Sequence, residues 1–277
     1  METFTIQDIH KEELKILDEF LRICKKHSIE YYIIGGTFLG AIRHKGFIPW
    51  DDDIDIAMKR PDFEKFLSIA NSELPHHMKL LTFNNTEDYR YYLPHLANLN
   101  IEIVEKRNEK KGKTINLFID IFPIDGTPNN ALLRKIHYFR ILALRLLYSW
   151  YYIDEIDTQR KRTTLEKILI VLGKILPTKR IVDPKKVLNR IDSILKSNPV
   201  EESDYIGTIM GAYRVREIVP CDFFGKPTEY QFESYRLTGP EKYDEYLTHM
   251  YGDYMEPPVD IHASQHLVLD QIEDEKS

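Results

Sequence analysis

Residues 51–56 read Asp51-Asp52-Asp53-Ile54-Asp55-Ile56, four carboxylates and two isoleucines in six positions. In an extended strand side chains alternate between faces, which would put Asp51, Asp53 and Asp55 on one side and the isoleucines on the other. Like charges in such a row repel one another. A cation among them removes the conflict, and hard oxygen ligands select Mg²⁺ or a similar divalent ion such as Mn²⁺. A solvated turn after Pro49 accounts for Asp51 and Asp52 but not for Asp55 between two isoleucines. Asp120 is the expected third carboxylate, since it lies within Leu117-Phe118-Ile119-Asp120-Ile121-Phe122, and an acid in an apolar strand needs a partner or a metal. Asp125, beyond Pro123, is assigned to the following turn. Two Mg²⁺ ions on Asp53, Asp55 and Asp120, with Asp51 in support, can clamp an in-line phosphoryl displacement. Asp120 can in addition take the proton of an attacking hydroxyl.

Such acids need a sheet to hold them. Ile9, Leu14, Leu17, Leu21 and Cys24 recur at helical spacing and predict an amphipathic helix over 7–27. Strands are expected at 30–34, 53–58, 78–83, 99–105 and 114–122, and Pro61 suits the first turn of a helix over 61–74. Helix and strand alternate, so the expected class is α/β with a mixed sheet. Beyond residue 128 the pattern turns helical, at 130–153, 164–176, 184–197 and 240–251. The tail QIEDEKS is expected to fray.

Gly35-Gly36 breaks the first strand, and Thr37 is a candidate cap for a short helix over 37–45. Glycine permits close backbone approach, and exposed amides at a helix start favour phosphate. Alone the turn is weak evidence, but it stands just upstream of the acidic strand. Phosphate would then sit at one end of a short module and metal at the other.

The run GGTFLGAIRHKGFIPWDDDIDIAM resembles the signature of LicD-type phosphocholine transferases, a branch of the nucleotidyltransferase-fold superfamily that includes the fukutin-related ribitol-phosphate transferases. Gly40, Arg43, Gly46, Pro49 and Trp50 carry the finer features, and FIDIFPIDGTP and YDEYLTHMYGDYMEPP resemble further segments of that family. RYYLPHLANLN (90–100) and PPVDIHASQH depart from it. The resemblance implies CDP-choline as donor, an acceptor hydroxyl on a surface-glycan precursor of teichoic acid or lipopolysaccharide type, and CMP as the leaving group. It leaves open transfer of ethanolamine, ribitol or glycerol phosphate, nucleotidyl transfer from an NTP, and a non-catalytic binding module.

Substrate contacts are assigned to Gly35, Gly36, Thr37, Arg43, Trp50 and Glu233. Arg43 offers a stiff planar fork for phosphate or is simply a helix-end arginine. Trp50 stacks on a base, floors the pocket or is plain core. Glu233, an acid between aromatics in YQFESY, binds acceptor or makes a structural pair. A choline headgroup calls for an aromatic cage, for which Tyr89, Tyr91, Tyr92, Tyr148, Trp150, Tyr151 and Tyr152 are candidates. His262 and His266 lack a third partner and are not read as a zinc site.

The net charge of −6 hides an asymmetry: residues 132–187 hold 13 Lys/Arg against five acids, locally +8 and leaving −14 for the rest. Two stretches there, LLRKIHYFRILALRLLYSWYY and TLEKILIVLGKILP, are amphipathic with basic rims. They form either a helical lobe on the sheet or a peripheral contact with an anionic membrane. No apolar run reaches the roughly 20 residues of a membrane span. The charged start METFTIQDIHKEELKIL does not read as a secretory signal. Two cysteines without metal spacing fit a reducing cytoplasm, with the inner face of the plasma membrane as the expected docking place and no nucleic acid as partner. The expected organisation is a nucleotidyltransferase-like core at 1–128, a basic helical insertion at 129–200 and a C-terminal segment at 201–277 completing the cleft.

Overall fold

The computed structural model describes residues 5–104, 114–153, 164–175 and 178–257. His262, His266, the acidic tail, residue 105 of the fourth expected strand, the basic residues 160–162 and residue 176 of the expected helix over 164–176 lie outside them. Helix α1 (Ile6–His27) opens with a Thr5/Asp8 capping box and ends at Ser28 in a left-handed conformation. Strand β1 (Tyr32–Ile33) leads into α2 (Gly35–Arg43), then β2 (Asp55–Lys59), α3 (Arg60–Glu73), β3 (Met78–Leu81), β4 (His95–Val104) and β5 (Thr114–Gly126). Helices α4 (Ala131–Tyr151), α5 (Thr164–Ile175), α6 (Thr178–Ile181) and α7 (Pro184–Leu195) follow. After them come β6 (Tyr205–Gly207), β7 (Ile218–Pro220), α8 (Cys221–Phe224), the hairpin β8 (Thr228–Phe232) and β9 (Tyr235–Gly239), and α9 (Tyr243–Tyr251).

The sheet runs β1-β2-β5-β4-β3, with β6 and β7 added beyond the end of β5. It is mixed: β2 and β5 are parallel, and the other neighbours pair antiparallel. Along β5 the residues Leu117, Ile119 and Ile121 point into the main core, whereas Phe118 and Asp120 are half-buried on the opposite face. Pro123 is tolerated because alternate amides face opposite neighbours: Asp120 N–H bonds Ile54 O (2.9 Å) and Ile121 N–H bonds Pro94 O (3.0 Å). The missing donor at 123 therefore falls on the β4 side, past the start of β4.

A second, smaller core joins α4 and α7 through Tyr138, Ile141, Leu188, Ile191 and Leu195, with Tyr92 reaching in from the sheet side. The expected helices appear with ends within a few residues. Strand β4 starts four residues earlier than expected, because His95–Asn98 pair with β3 and β5 ahead of a register shift before Glu102. Strands β6 to β9 were not expected at all. Each is three to five residues long, too short for alternation to register.

Candidate active site

Parallel pairing sets Asp55 directly beside Asp120, and antiparallel pairing sets His95 on the other side of Asp120. Residues in register share a face, so Asp55, Asp120 and His95 form one row across three strands. Oxygens of Asp53, Asp55 and Asp120 lie within 4.8 Å of one another, as do those of Asp51, Asp52 and Asp53. The expected single strand face for Asp51, Asp53 and Asp55 needs correction. The strand begins only at Asp55; Asp51 closes a turn through its N–H to Ile48 O (2.9 Å), and residues 52–54 are irregular. Asp53 thus joins two overlapping groups of acids rather than one rung of a ladder.

The glycines are required by these carboxylates. A Cβ on Gly35, whose φ is +58°, would stand 2.2 Å from Asp55 Oδ2, and one on Gly36 would stand 2.0 Å from Asp51 Oδ2. Any side chain there displaces an acid. Thr37 does not cap α2, which starts at Gly35 with no side-chain cap. Its Oγ1 instead accepts the Asp55 N–H at 2.8 Å, fixing the first residue of β2 against the helix.

Burial, and then Asp53, Asp120 and Asp51, push the Asp55 carboxyl well above its ordinary range. Burial, then Asp53 and Asp52, push Asp51 up to about 8, with Arg43 opposing. Among the described residues no Lys or Arg forms an ion pair with Asp51 or Asp55. All-oxygen donors, a glycine cradle and unneutralised buried acids fit a hard divalent cation.

Two residues near these acids were missed from sequence. His95 lies in the segment that departs from the family pattern; its Nε2 is 3.2 Å from Asp120 Oδ1, and its ring stacks on Phe118 at 3.7 Å. Glu13, on α1, is wholly buried, and neither carboxylate oxygen has a hydrogen-bond partner among the described residues. Burial raises its pKa most, followed by Asp53, Asp52, Asp51 and Asp120, the same acids that make up the site. Its signal was present: Ile9, Glu13, Ile16 and Phe20 follow helical spacing along the buried stripe.

A cavity of about 360 Å³ opens on Asp52, Asp53 and Asp120. Tyr91, His95, Phe118 and Tyr148 supply aromatic walls, and Arg90 and Arg145 supply positive charge. Of the aromatic candidates, Tyr91, Tyr92 and Tyr148 line it. Arg145 is tied down by its Nη1–H to Ile209 O (2.9 Å).

The remaining assigned residues lie further along the loop. Arg43 Nη1–H donates to Tyr254 O at 2.9 Å, holding the C-terminal segment to α2. Trp50 is half-buried, packs against the core and meets His44 edge-on at 6.2 Å. Glu233 occupies the β8–β9 turn at φ +51°; its Oε1 accepts the Phe47 N–H (3.0 Å), and its own N–H donates to Lys45 O (2.7 Å). That gives it a structural partner in the loop before the acids. Asp125 serves no turn, contrary to expectation. It is a buried member of β5 gripped by Arg60, with Nε–H to Oδ1 at 2.7 Å and Nη2–H to Oδ2 at 2.6 Å.

A mixed sheet that gathers three aspartates beside a Gly-Gly helix start defines a nucleotidyltransferase-like centre. The family model described as LicD/FKTN/FKRP, nucleotidyltransferase domain, matches residues 28–140. The lipopolysaccharide cholinephosphotransferase LicD of Haemophilus influenzae is 30% identical over 277 aligned residues, covering 96% of this chain and 98% of that protein. Uncharacterized proteins of Rickettsia typhi and Rickettsia prowazekii are 32% and 29% identical over 118 and 109 residues, 43% and 39% of this chain and 36% and 39% of their own lengths. The chain belongs to the LicD family.

Proposed function

We propose that this phosphotransferase moves phosphocholine from CDP-choline to a sugar hydroxyl of a cell-surface glycan precursor. The observation that carries the reading is the convergence of Asp53, Asp55 and Asp120 within 4.8 Å, in a chain alignable from end to end with a cholinephosphotransferase. Asp53, Asp55 and Asp120, with Asp51, would hold Mg²⁺, two ions in this reading, with Mn²⁺ as a substitute. Bound there, the ions supply charge neutralisation at the diphosphate and a lowered pKa for the attacking hydroxyl. Asp120, steadied by His95, receives the hydroxyl proton. The acceptor oxygen bonds to the phosphorus that carries choline, the bond from that phosphorus to the bridging oxygen breaks, and CMP departs with the bridging oxygen. Gly35 and Gly36 leave room for the acids, and Thr37 fixes Asp55. The cavity bounded by Tyr91, His95 and Phe118 is assigned to the donor, with Arg43 and Trp50 toward its nucleotide end and Glu233 ordering the loop between them. Residues 1–128 serve as catalytic core, 129–200 as helical insertion and 201–277 as the segment completing the cleft.

The acceptor is assigned to a lipid-linked glycan reached at the inner face of the plasma membrane. Among the described residues no helix is long and apolar enough to cross a membrane. However, Leu132, Leu133, Ile136 and Phe139 on α4 and Val171, Leu172 and Ile175 on α5 are exposed, in a block rich in Lys and Arg. Such a face suits peripheral docking on anionic lipid. Flotation with anionic liposomes at low salt is expected to carry the protein upward, and replacing Leu133, Ile136 and Phe139 by serine is expected to leave it at the bottom; failure of the unaltered protein to float removes the docking idea.

The donor is tested with Mg²⁺ and a panel of CDP-choline, CDP-ethanolamine, CDP-ribitol and CDP-glycerol, following CMP release. Preference for CDP-choline, abolished by a chelator, is expected. Release indifferent to the chelator contradicts the mechanism, and pyrophosphate formed from an NTP would point to nucleotidyl transfer instead.

A further inference from the structure

We infer that Arg145, carried into the cavity by α4, grips the diphosphate of the donor across from the aspartates. The inference rests on the donor reading given above and adds to it a specificity-determining residue from the helical insertion.

Arg145 lines the same cavity of about 360 Å³ as Asp52, Asp53 and Asp120. None of these acids forms an ion pair with it, nor does any other carboxylate among the described residues. Its hydrogen bonds go to main-chain carbonyls instead. Nη1–H donates to Ile209 O (2.9 Å) and Gly211 O (3.4 Å), and Nη2–H reaches Gly211 O at 3.5 Å. A guanidinium carries five N–H donors in one plane. Nε–H and one Nη2–H, which form one edge of the fork, therefore have no partner among the described residues. Carbonyl oxygens orient a cation without cancelling its charge. Burial, and then the like charge of Arg214, hold its pKa below the ordinary guanidinium range, yet an arginine stays charged at neutral pH.

The placement is built by the connection between β6 and β7. Glu217, whose charge acts on Arg145, is itself engaged: its carboxylate accepts the Thr208 hydroxyl and the Tyr213 N–H (2.6 Å). It thereby ties the two ends of the 208–213 loop. A Cβ on Gly211 would stand 2.1 Å from Glu217 Oε2, so the loop closes on that carboxylate with no room for a side chain. Both carbonyls that hold Arg145 belong to this loop, and Met210 between them also lines the cavity.

Opposite charges kept apart on the walls of one cavity call for an occupant that answers both. A diphosphate with a divalent cation does so, since its oxygens match the planar edge of a guanidinium two at a time. The quaternary ammonium of choline is repelled by Arg145, which puts that headgroup away from this wall.

The test measures binding of CDP and CDP-choline to the full chain with Mg²⁺ by isothermal titration calorimetry. Mn²⁺ affinity by electron paramagnetic resonance and a thermal melt are read on the same variants. Arg145→Gln is expected to weaken both nucleotides by about tenfold to a hundredfold and to leave Mn²⁺ affinity unchanged. Arg145→Lys, which keeps the charge but not the planar edge, is expected to fold and to bind CDP more weakly than the unaltered chain and more tightly than Arg145→Gln. Unchanged CDP affinity in both variants overturns the inference and gives the guanidinium to another phosphate, such as one on the acceptor. Parallel losses of CDP affinity, Mn²⁺ affinity and thermal midpoint overturn it as well, because Arg145 then only holds the loop. No Mg²⁺-dependent binding of CDP or CDP-choline by the unaltered chain brings down the donor reading itself and this inference with it.

Discussion

Asp120 and Asp125 stand five residues apart on the same strand, and both are acids embedded among apolar neighbours. Their surroundings differ in one respect. Asp125 is met by both arms of the Arg60 guanidinium, which also reaches Asp192 at 3.1 Å and Tyr92 at 3.3 Å. Asp120 faces Asp55 across β2, has His95 at 3.2 Å, and shares its space with Asp53. One acid is neutralised by Arg60, which also ties the sheet to α7; the other belongs to a group of converging acids that the proposed function gives to a divalent cation. A buried carboxylate is thus not in itself a sign of function. The sign is a set of carboxylates from separate elements that converge on one space.

If that contrast is right, the two ends of β5 break in different ways. Asp53→Asn or Asp120→Asn is expected to lower CMP release by at least about 10²–10³-fold while leaving the thermal midpoint unchanged or higher, since a repelling charge is gone. A comparable loss of both activity and stability would merge the two regions into one structural network. Arg60→Met is expected to do the reverse. It strands Asp125 without a partner and lowers stability by about 3–5 kcal/mol in a denaturant titration, with activity per folded molecule retained. Replacing Arg60 and Asp125 together by apolar residues of similar volume should recover most of that loss. Gly36→Ala places a methyl where Asp51 Oδ2 now lies, and is expected to weaken Mn²⁺ binding by roughly tenfold without moving the urea midpoint by more than a small amount.

The smallest effect is a pH dependence with a definite sign. Asp51 holds its proton up to about pH 8 in the metal-free fold, whereas in the unfolded chain it releases it near pH 4. The folded state therefore binds more protons between those limits, and the stability contributed by Asp51 is fully present below about pH 4 and declines as pH rises toward 8. Metal-free protein is expected to melt lower at pH 7.5 than at pH 5.5, and Mg²⁺ to restore more stability at the higher pH, because its ligands must be deprotonated. A metal-free melt that rises over this interval contradicts the assignment.

Much of this was legible from residue order. The Asp55–Asp120 pairing followed from two acids each set in an apolar strand, and the glycine pair from its place before them. What escaped depended on partners distant in sequence. Asp125 looked like turn chemistry because nothing near it announces Arg60, 65 residues away. The shared strand face expected for Asp51, Asp53 and Asp55 fails because the strand begins only at Asp55, although Pro49 already offered a turn for Asp51 and Asp52. The β8–β9 turn carries Glu233-Ser234 in place of the usual glycine or asparagine. Its left-handed φ at Glu233 is held by tertiary bonds to the 45–47 loop, a cause no local pattern contains. Glu13 was readable from its spacing, yet an acid on an amphipathic helix is ordinarily given to solvent, and only the buried stripe around it corrects that.

The most direct test is a crystal of the full chain grown with Mn²⁺ and a non-reactive CDP-choline analogue, with anomalous scattering used to find the metal. The account predicts a manganese peak bonded to carboxylate oxygens of Asp53, Asp55 and Asp120, with the donor diphosphate against it. A structure in which the analogue binds with no manganese at these three residues, or with manganese elsewhere, would contradict it.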